Sequence, residues 1–214
     1  MLYKYLQRIV IIYTFYCNKM KYRIDKTTLL NYLTVWNRYL KRKVHIIACG
    51  GTALTLLNLK ASTKDIDFLI PKPEEYKYLV TILADLGYEG ITGTGWQKNR
   101  TFIFDLYVGK TIFTTELLES PLKAGNHIPF KEFSSIYLGI LNYYDLIITK
   151  LFRYSTVDIE DCLTILKEKH REIDVEKLKS RFYETSSYDT SDERNRKNFE
   201  YFLKVIKKEK IQNE

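Results

Sequence analysis

The chain has 214 residues and a mass of 25.5 kDa, with 45% hydrophobic, 14% aromatic and 28% charged content. That excludes a disordered chain and leaves room for one ordinary core, or for a compact catalytic unit with a smaller helical one. A formal charge of +8 and a pI near 9.2 suit a polyanionic partner such as nucleic acid or nucleotide, although the lysines and arginines are dispersed and a merely solvated basic surface is the plain alternative.

Cys17, Cys49 and Cys162 lack CxxC spacing, and His45, His127 and His170 are far apart, which argues against a disulfide framework, a zinc ribbon or a Ser-His-Asp arrangement. A reducing, cytoplasmic setting fits best. The apolar run from Ile9 to Cys17 is too short to span a bilayer as a helix, so no membrane partner is expected. Residues 1–25 read as an N-terminal extension, either an amphipathic segment or a stretch ahead of a true start at Met20.

From Lys26 to Lys43 apolar residues recur every three to four positions, predicting a helix that ends in the basic "KRK". "VHIIACGG" then reads as a buried strand closed by a glycine turn, "TALTLLNL" as a helix starting from that turn, and "DIDFLIP" as a second strand stopped by Pro71 and Pro73. Helical spacing returns from Glu74 to Leu86, and "TFIFDLYVG" is a third strand. The segment from Thr111 to Phe133 reads as loops with at most a short strand. Beyond it, "LNYYDLIITKLFRY", "DIEDCLTILKEK", "DVEKLKSRFYE" and "NRKNFEYFLKVIKKEK" predict helices, with Asp158, Asp174 and Ser191 or Asp192 as N-caps and a polar loop over 186–196. The expected fold class is α+β: a small mixed sheet with flanking helices, followed by a C-terminal helical bundle.

The chemistry gathers between residues 50 and 105. On a strand, Asp65 and Asp67 point to the same side while Ile66 and Phe68 enter the core. Two adjacent carboxylates repel, and a hard divalent cation such as Mg²⁺ compensates them while sharing its coordination with substrate phosphates. Gly50 and Gly51 let backbone approach a ligand, and the N–H groups of the following helix form a phosphate seat. Thr52 and Ser62 offer hydroxyls, and Lys60 and Lys64 add positive charge. Asp105, in the middle of an apolar strand, is a candidate third ligand, and three carboxylates suffice for two metal ions. Each motif alone is common; a glycine pair is most often a turn and a D-x-D often a solvated edge. The order strand, GG, helix, D-x-D strand is far more specific.

"ACGGTAL", "STKDIDFLI" and "FIFDLYV" in this order resemble the nucleotidyltransferase superfamily with a DNA polymerase β-like catalytic fold. The "GGTAL...S.KDIDF" form is similar to the abortive-infection-type toxin branch found in toxin-antitoxin pairs, and "TKLFRYSTVDIED" supplies that branch's lysine and D-x-x-D as Lys150, Asp158 and Asp161. Two departures stand out: Lys60 replaces an arginine, and the basic run before the D-x-x-D is reduced to Arg153.

The resemblance implies a catalytic core over 26–135 and a helical domain over 136–214. It implies Gly50, Gly51 and Thr52 on the triphosphate, and Asp65, Asp67 and Asp105 on two Mg²⁺ ions, or Mn²⁺ in their place. Lys150 would contact phosphate, and Asp161 would orient Lys150 or the acceptor. A helix-surface role for Lys150, capping by Asp158 and plain packing by Tyr143 and Tyr144, otherwise candidates to stack a base, are the alternatives. The implied activity is transfer of a nucleoside monophosphate from a nucleoside triphosphate to an acceptor hydroxyl, of RNA or tRNA, a protein or a small molecule, in a toxin with an antitoxin partner. A catalytically silent module of the same fold, binding RNA or a partner protein, is the alternative class.

Overall fold

Asp25 accepts a hydrogen bond from the Thr28 N–H at 2.8 Å and caps α1 (Lys26–Tyr39), whose Leu29, Leu33 and Trp36 lie on one buried face. The helix gives way to extended backbone at Leu40, so "KRK" forms the bend before the first strand instead of the last helical turn. This computed structural model describes residues 23–209; the expected segment ahead of Arg23, with Cys17 and Met20, lies outside them.

Strand β1 (Val44–Ala48) leads into α2 (Gly50–Leu56), which starts on the glycine pair itself and stops three residues before the expected end. Strand β2 (Ile66–Ile70) is buried throughout, and Pro73 opens α3 (Pro73–Asp85), where its missing N–H costs nothing. Strands β3 (Glu89–Gly90), β4 (Gly95–Gln97) and β5 (Ile103–Val108) follow, then a separate ribbon of β6 (Thr111–Ile112) and β7 (Thr115–Glu116), and a hairpin of β8 (His127–Glu132) and β9 (Ile136–Leu141). Four helices complete the described chain: α4 (Tyr143–Arg153), α5 (Thr156–Lys169), α6 (Val175–Ser187) and α7 (Asp192–Lys208).

The main sheet has seven strands in the order β3-β4-β5-β2-β1-β9-β8. Strands β1 and β2 are antiparallel, while β2 pairs parallel with β5 and β1 parallel with β9. With the seven α-helices of the described residues this is the expected α+β class, a mixed sheet with flanking helices and a helical C-terminal part. One side of the core is aromatic: the Trp36 ring lies 4.8 Å from Phe104, 5.8 Å from Tyr88 and 6.3 Å from Phe68, and its Nε1 donates to Tyr88 Oη at 3.0 Å. The helical part has its own stack, with Phe182 and Phe199 rings 4.0 Å apart.

Three expectations are corrected. Strand β9, placed by sequence with the helical part, sits inside the sheet beside β1, so the sheet runs to Leu141. Asp158 is not an N-cap: Ser155 caps α5, and Asp158 is the third helical residue of a capping box, its carboxylate returning to the Ser155 N–H. The polar loop of 186–196 shrinks to the few residues between Ser187 and Asp192, and Ser191 occupies the cap position of α7 without a side-chain capping bond.

Candidate active site

Because β1 runs antiparallel to β2, the end of β1 meets the start of β2: Ala48 pairs with Phe68, and the Cys49 N–H donates to the Asp67 carbonyl at 3.1 Å. In the parallel β2 and β5 pair, Asp67 and Asp105 are direct register partners. The glycine pair and the carboxylates therefore occupy one edge of the sheet.

Their contacts are closer than a turn would demand. Gly50 has φ +55°, and a Cβ built on it would lie 2.2 Å from Asp67 Oδ2. A Cβ on Gly51 would lie 2.5 Å from Thr63 Oγ1. The buried Thr52 hydroxyl accepts from the Asp67 N–H at 2.9 Å and donates to the Asp65 carbonyl at 3.3 Å. The start of α2 is thus keyed to the carboxylate strand, and the Thr52 hydroxyl is consumed in that packing.

A cleft of about 650 Å³ opens at this edge. On one wall stand Asp65, Asp67 and Asp105; facing them are Lys150, Arg153, Asp158 and Asp161 from α4 and α5. Of the residues expected on phosphate, Gly51, Lys60 and Lys64 line the cleft, whereas Gly50, Thr52 and Ser62 do not. Ser62 instead takes Arg23, whose Nε donates to its Oγ at 2.8 Å and whose Nη2 donates to its carbonyl at 2.7 Å.

Asp65 lies just ahead of β2 and is exposed, so the two acids of the D-x-D differ in surroundings: Asp67 is only 4% exposed. Burial pushes the Asp67 carboxyl up to about 7; Arg153 opposes the shift, and the charges of Asp105 and Asp65 add to it. Asp105 is half-buried and also raised, by burial first, with the Thr94 hydroxyl donating to it at 2.9 Å and opposing the shift. Among the described residues no three His, Cys, Asp or Glu side chains gather closely enough to hold a metal ion as they stand. The donor set nonetheless fits Mg²⁺ chemically: three carboxylates share one cleft, and burial together with the charges of Asp105 and Asp65 disfavours the Asp67 anion, which a bound cation would relieve.

The opposite wall is a chain of ion pairs. Lys150 Nζ donates to Asp161 Oδ2 at 2.8 Å and lies 3.5 Å from Asp158 Oδ1, so the structure brings Lys150 and Asp161 into contact. Lys60 does not flank the carboxylates as expected; its Nζ reaches across to Asp161 at 2.9 and 3.1 Å. Arg153 Nη2 donates to Asp158 Oδ1 at 2.5 Å; against the effect of burial, the Ser155 hydroxyl first, then Arg153 and Lys150, hold the Asp158 carboxyl below its usual range. Asp158 is consequently buried rather than on a solvated helix face. Arg153 was legible only as a remnant of a basic run, and Arg23 and Phe113 carried no signal at all.

Tyr143 and Tyr144 lie outside the cleft lining. Tyr143 is buried, and the Tyr144 hydroxyl accepts from the Asp174 N–H at 3.1 Å, so both are packing residues here and not base platforms. His45 pairs with Glu75, His127 bridges the Pro121 carbonyl and the Tyr137 hydroxyl, and His170 contacts the Lys167 carbonyl, which accounts for each histidine structurally. Cys49 and Cys162 are buried free thiols, both pushed up by burial and therefore inert.

The chain is similar to the solution structure of the antibiotic-resistance factor ANT(2'')-Ia, at 16% identity and a TM-score of 0.55, over 81% of this chain and 98% of that one. The two chains share a fold. A crystal structure of ANT(2'')-Ia in complex with adenylyl-2''-tobramycin is also similar, at 15% identity and a TM-score of 0.47, over 68% of this chain and 88% of that one. Residues 126–211 match a family described as a nucleotidyltransferase of unknown function (DUF6036). That match takes in Lys150, Arg153, Asp158 and Asp161, and leaves Asp65, Asp67 and Asp105 to the preceding residues. No curated protein sequence matches the chain.

Proposed function

We propose that this protein transfers a nucleoside monophosphate from a nucleoside triphosphate to an acceptor hydroxyl in the cleft beside β2 and β5. The observation that carries the reading is the juxtaposition of three carboxylates, one of them buried, with a cation-bearing wall across a single cleft. Asp65, Asp67 and Asp105 would hold Mg²⁺, two ions or Mn²⁺ in their place, which when bound supplies charge neutralisation for the triphosphate and its leaving group. The backbone at Gly51 and the cations of the facing wall position the phosphates. The acceptor oxygen attacks the α-phosphorus, the bond from that phosphorus to the bridging oxygen breaks, and pyrophosphate leaves. Asp105, raised by burial yet still open to the cleft, takes the hydroxyl proton.

RNA, tRNA included, is the acceptor that the +8 charge favours, and the resemblance to the toxin branch supports a role beside an antitoxin. Purified protein is incubated with each α-labelled ribonucleoside triphosphate, Mg²⁺ and total RNA. Label on RNA, lost in Asp65→Ala and Asp67→Ala, is the expected result. No label in any combination, with both variants leaving Mg²⁺ affinity unchanged, defeats the proposal. The +8 charge also suits a second reading, a silent module of this fold that binds RNA; RNA binding indifferent to triphosphate and Mg²⁺ would support that reading instead.

A further inference from the structure

Two cations on α4 face the cleft, Lys150 and Arg153, one turn apart. The resemblance to known families points to the lysine. The geometry separates them differently. The Lys150 side chain is 2% exposed, and its ammonium is spent on Asp161 and Asp158. Asp161 in turn is shared with Lys60. The lysine is thereby a buried brace between α4 and α5.

Arg153 is 32% exposed and lines the cleft. One nitrogen donates to Asp158 Oδ1, while the other oxygen of Asp158 is taken by the Ser155 hydroxyl at 2.7 Å. The guanidinium face is covered by the Phe113 ring, 3.9 Å from Cζ, and that ring packs on Tyr107 at 4.9 Å between centroids. A guanidinium has five N–H donors in a rigid plane. A stacked face and one occupied nitrogen leave an edge of the plane for an anion.

The backbone on both sides is arranged for this. Phe113 sits in the turn between β6 and β7 with φ +53°, a left-handed conformation unfavourable for a bulky aromatic residue. Tyr154, immediately after Arg153, has φ +58° and ends α4 there. Strained residues thus fix the ring under the guanidinium and stop the helix right after Arg153.

We infer that Arg153, clamped between the Asp158 carboxylate and the Phe113 ring, is the residue that contacts the triphosphate, with Asp158 and Phe113 as positioning residues and Lys150 as their brace. This rests on the nucleotidyltransferase reading and names its phosphate ligand. The test is calorimetric titration of the full chain, with Mg²⁺, by the four ribonucleoside triphosphates and by inorganic tripolyphosphate, alongside thermal melts. Arg153→Gln weakens both kinds of probe by about tenfold or more without lowering the melting temperature appreciably, since Asp158 keeps Ser155 and Lys150. Arg153→Lys restores little, because an ammonium has no planar fork. Phe113→Leu weakens binding severalfold while Phe113→Tyr keeps it. Lys150→Met shows itself chiefly in the melt. Unchanged binding in Arg153→Gln, with loss in a folded Lys150→Met, overturns the inference alone. A wild-type protein that binds no triphosphate overturns the inference and the reading beneath it.

Discussion

Gly50 and Asp67 act as one unit. The left-handed backbone of Gly50 and the 2.2 Å approach of a would-be Cβ to Asp67 Oδ2 leave no room for a methyl group, so Gly50→Ala must displace the carboxylate or the turn. We expect it to cost about 1–3 kcal/mol in denaturant unfolding and to abolish transfer; a variant of wild-type stability and activity would contradict this. Asp67 also sets a pH dependence. Its folded pKa, about 7, lies above the ordinary 3.8, so between those values the folded protein binds a proton that the unfolded chain does not. Stability without metal therefore falls as pH rises through that window, and the cost is complete above pH 7, at most about 4 kcal/mol. Asp67→Asn should melt higher than wild type above pH 7, with the gap closing towards pH 4, and Mg²⁺ should raise the wild-type melt only. Parallel melting curves across this range would refute the assignment.

Among the elements, α4 is tied by charge to α5 and to α6. Asp145, buried near its start, accepts from Arg181 of α6 at 2.7 and 2.8 Å and from Asn142 Nδ2 at 2.7 Å. Removing one partner leaves a buried charge, so Arg181→Met is expected to cost about 3–5 kcal/mol, with part recovered in the double variant Asp145→Asn, Arg181→Met. A loss in the double variant equal to the sum of the Asp145→Asn and Arg181→Met losses would show that the two side chains are not coupled. Ser155→Ala removes the cap of α5 and should cost about 1 kcal/mol in the same unfolding measurement. The elements carrying the glycines and carboxylates were legible because each strand ends in punctuation, glycine or proline. Strand β9 was not: buried on both faces, "IYLGIL" has no alternation and merges with the apolar start of α4 into one run that reads as helix. The cap was legible and overlooked, since Ser155 stands three residues before Asp158 in the capping-box pattern.

At the scale of the whole molecule, the site is a cleft between a sheet edge and two helices that are adjacent in sequence. The carboxylate wall could be read because Asp65 and Asp67 belong to one D-x-D motif and Asp105 interrupts an apolar strand pattern. The facing wall could not be read in full: Arg153 meets Phe113 across 40 positions, and Lys60 meets Asp161 across 101, pairings that no local pattern announces. The charge of +8 belongs to this scale as well. If RNA is the acceptor, its affinity should fall steeply between about 50 and 200 mM salt while triphosphate binding inside the cleft falls less; a flat RNA response would remove RNA from consideration. Among the described residues no helix is long and apolar enough to cross a membrane. The central claim is that one cleft binds both the metal and the triphosphate. A crystal structure with Mg²⁺ and a non-hydrolysable nucleoside triphosphate tests it most directly: the account predicts metal at Asp67 and Asp105 with the phosphates towards Arg153, and a triphosphate bound elsewhere on the surface would contradict it.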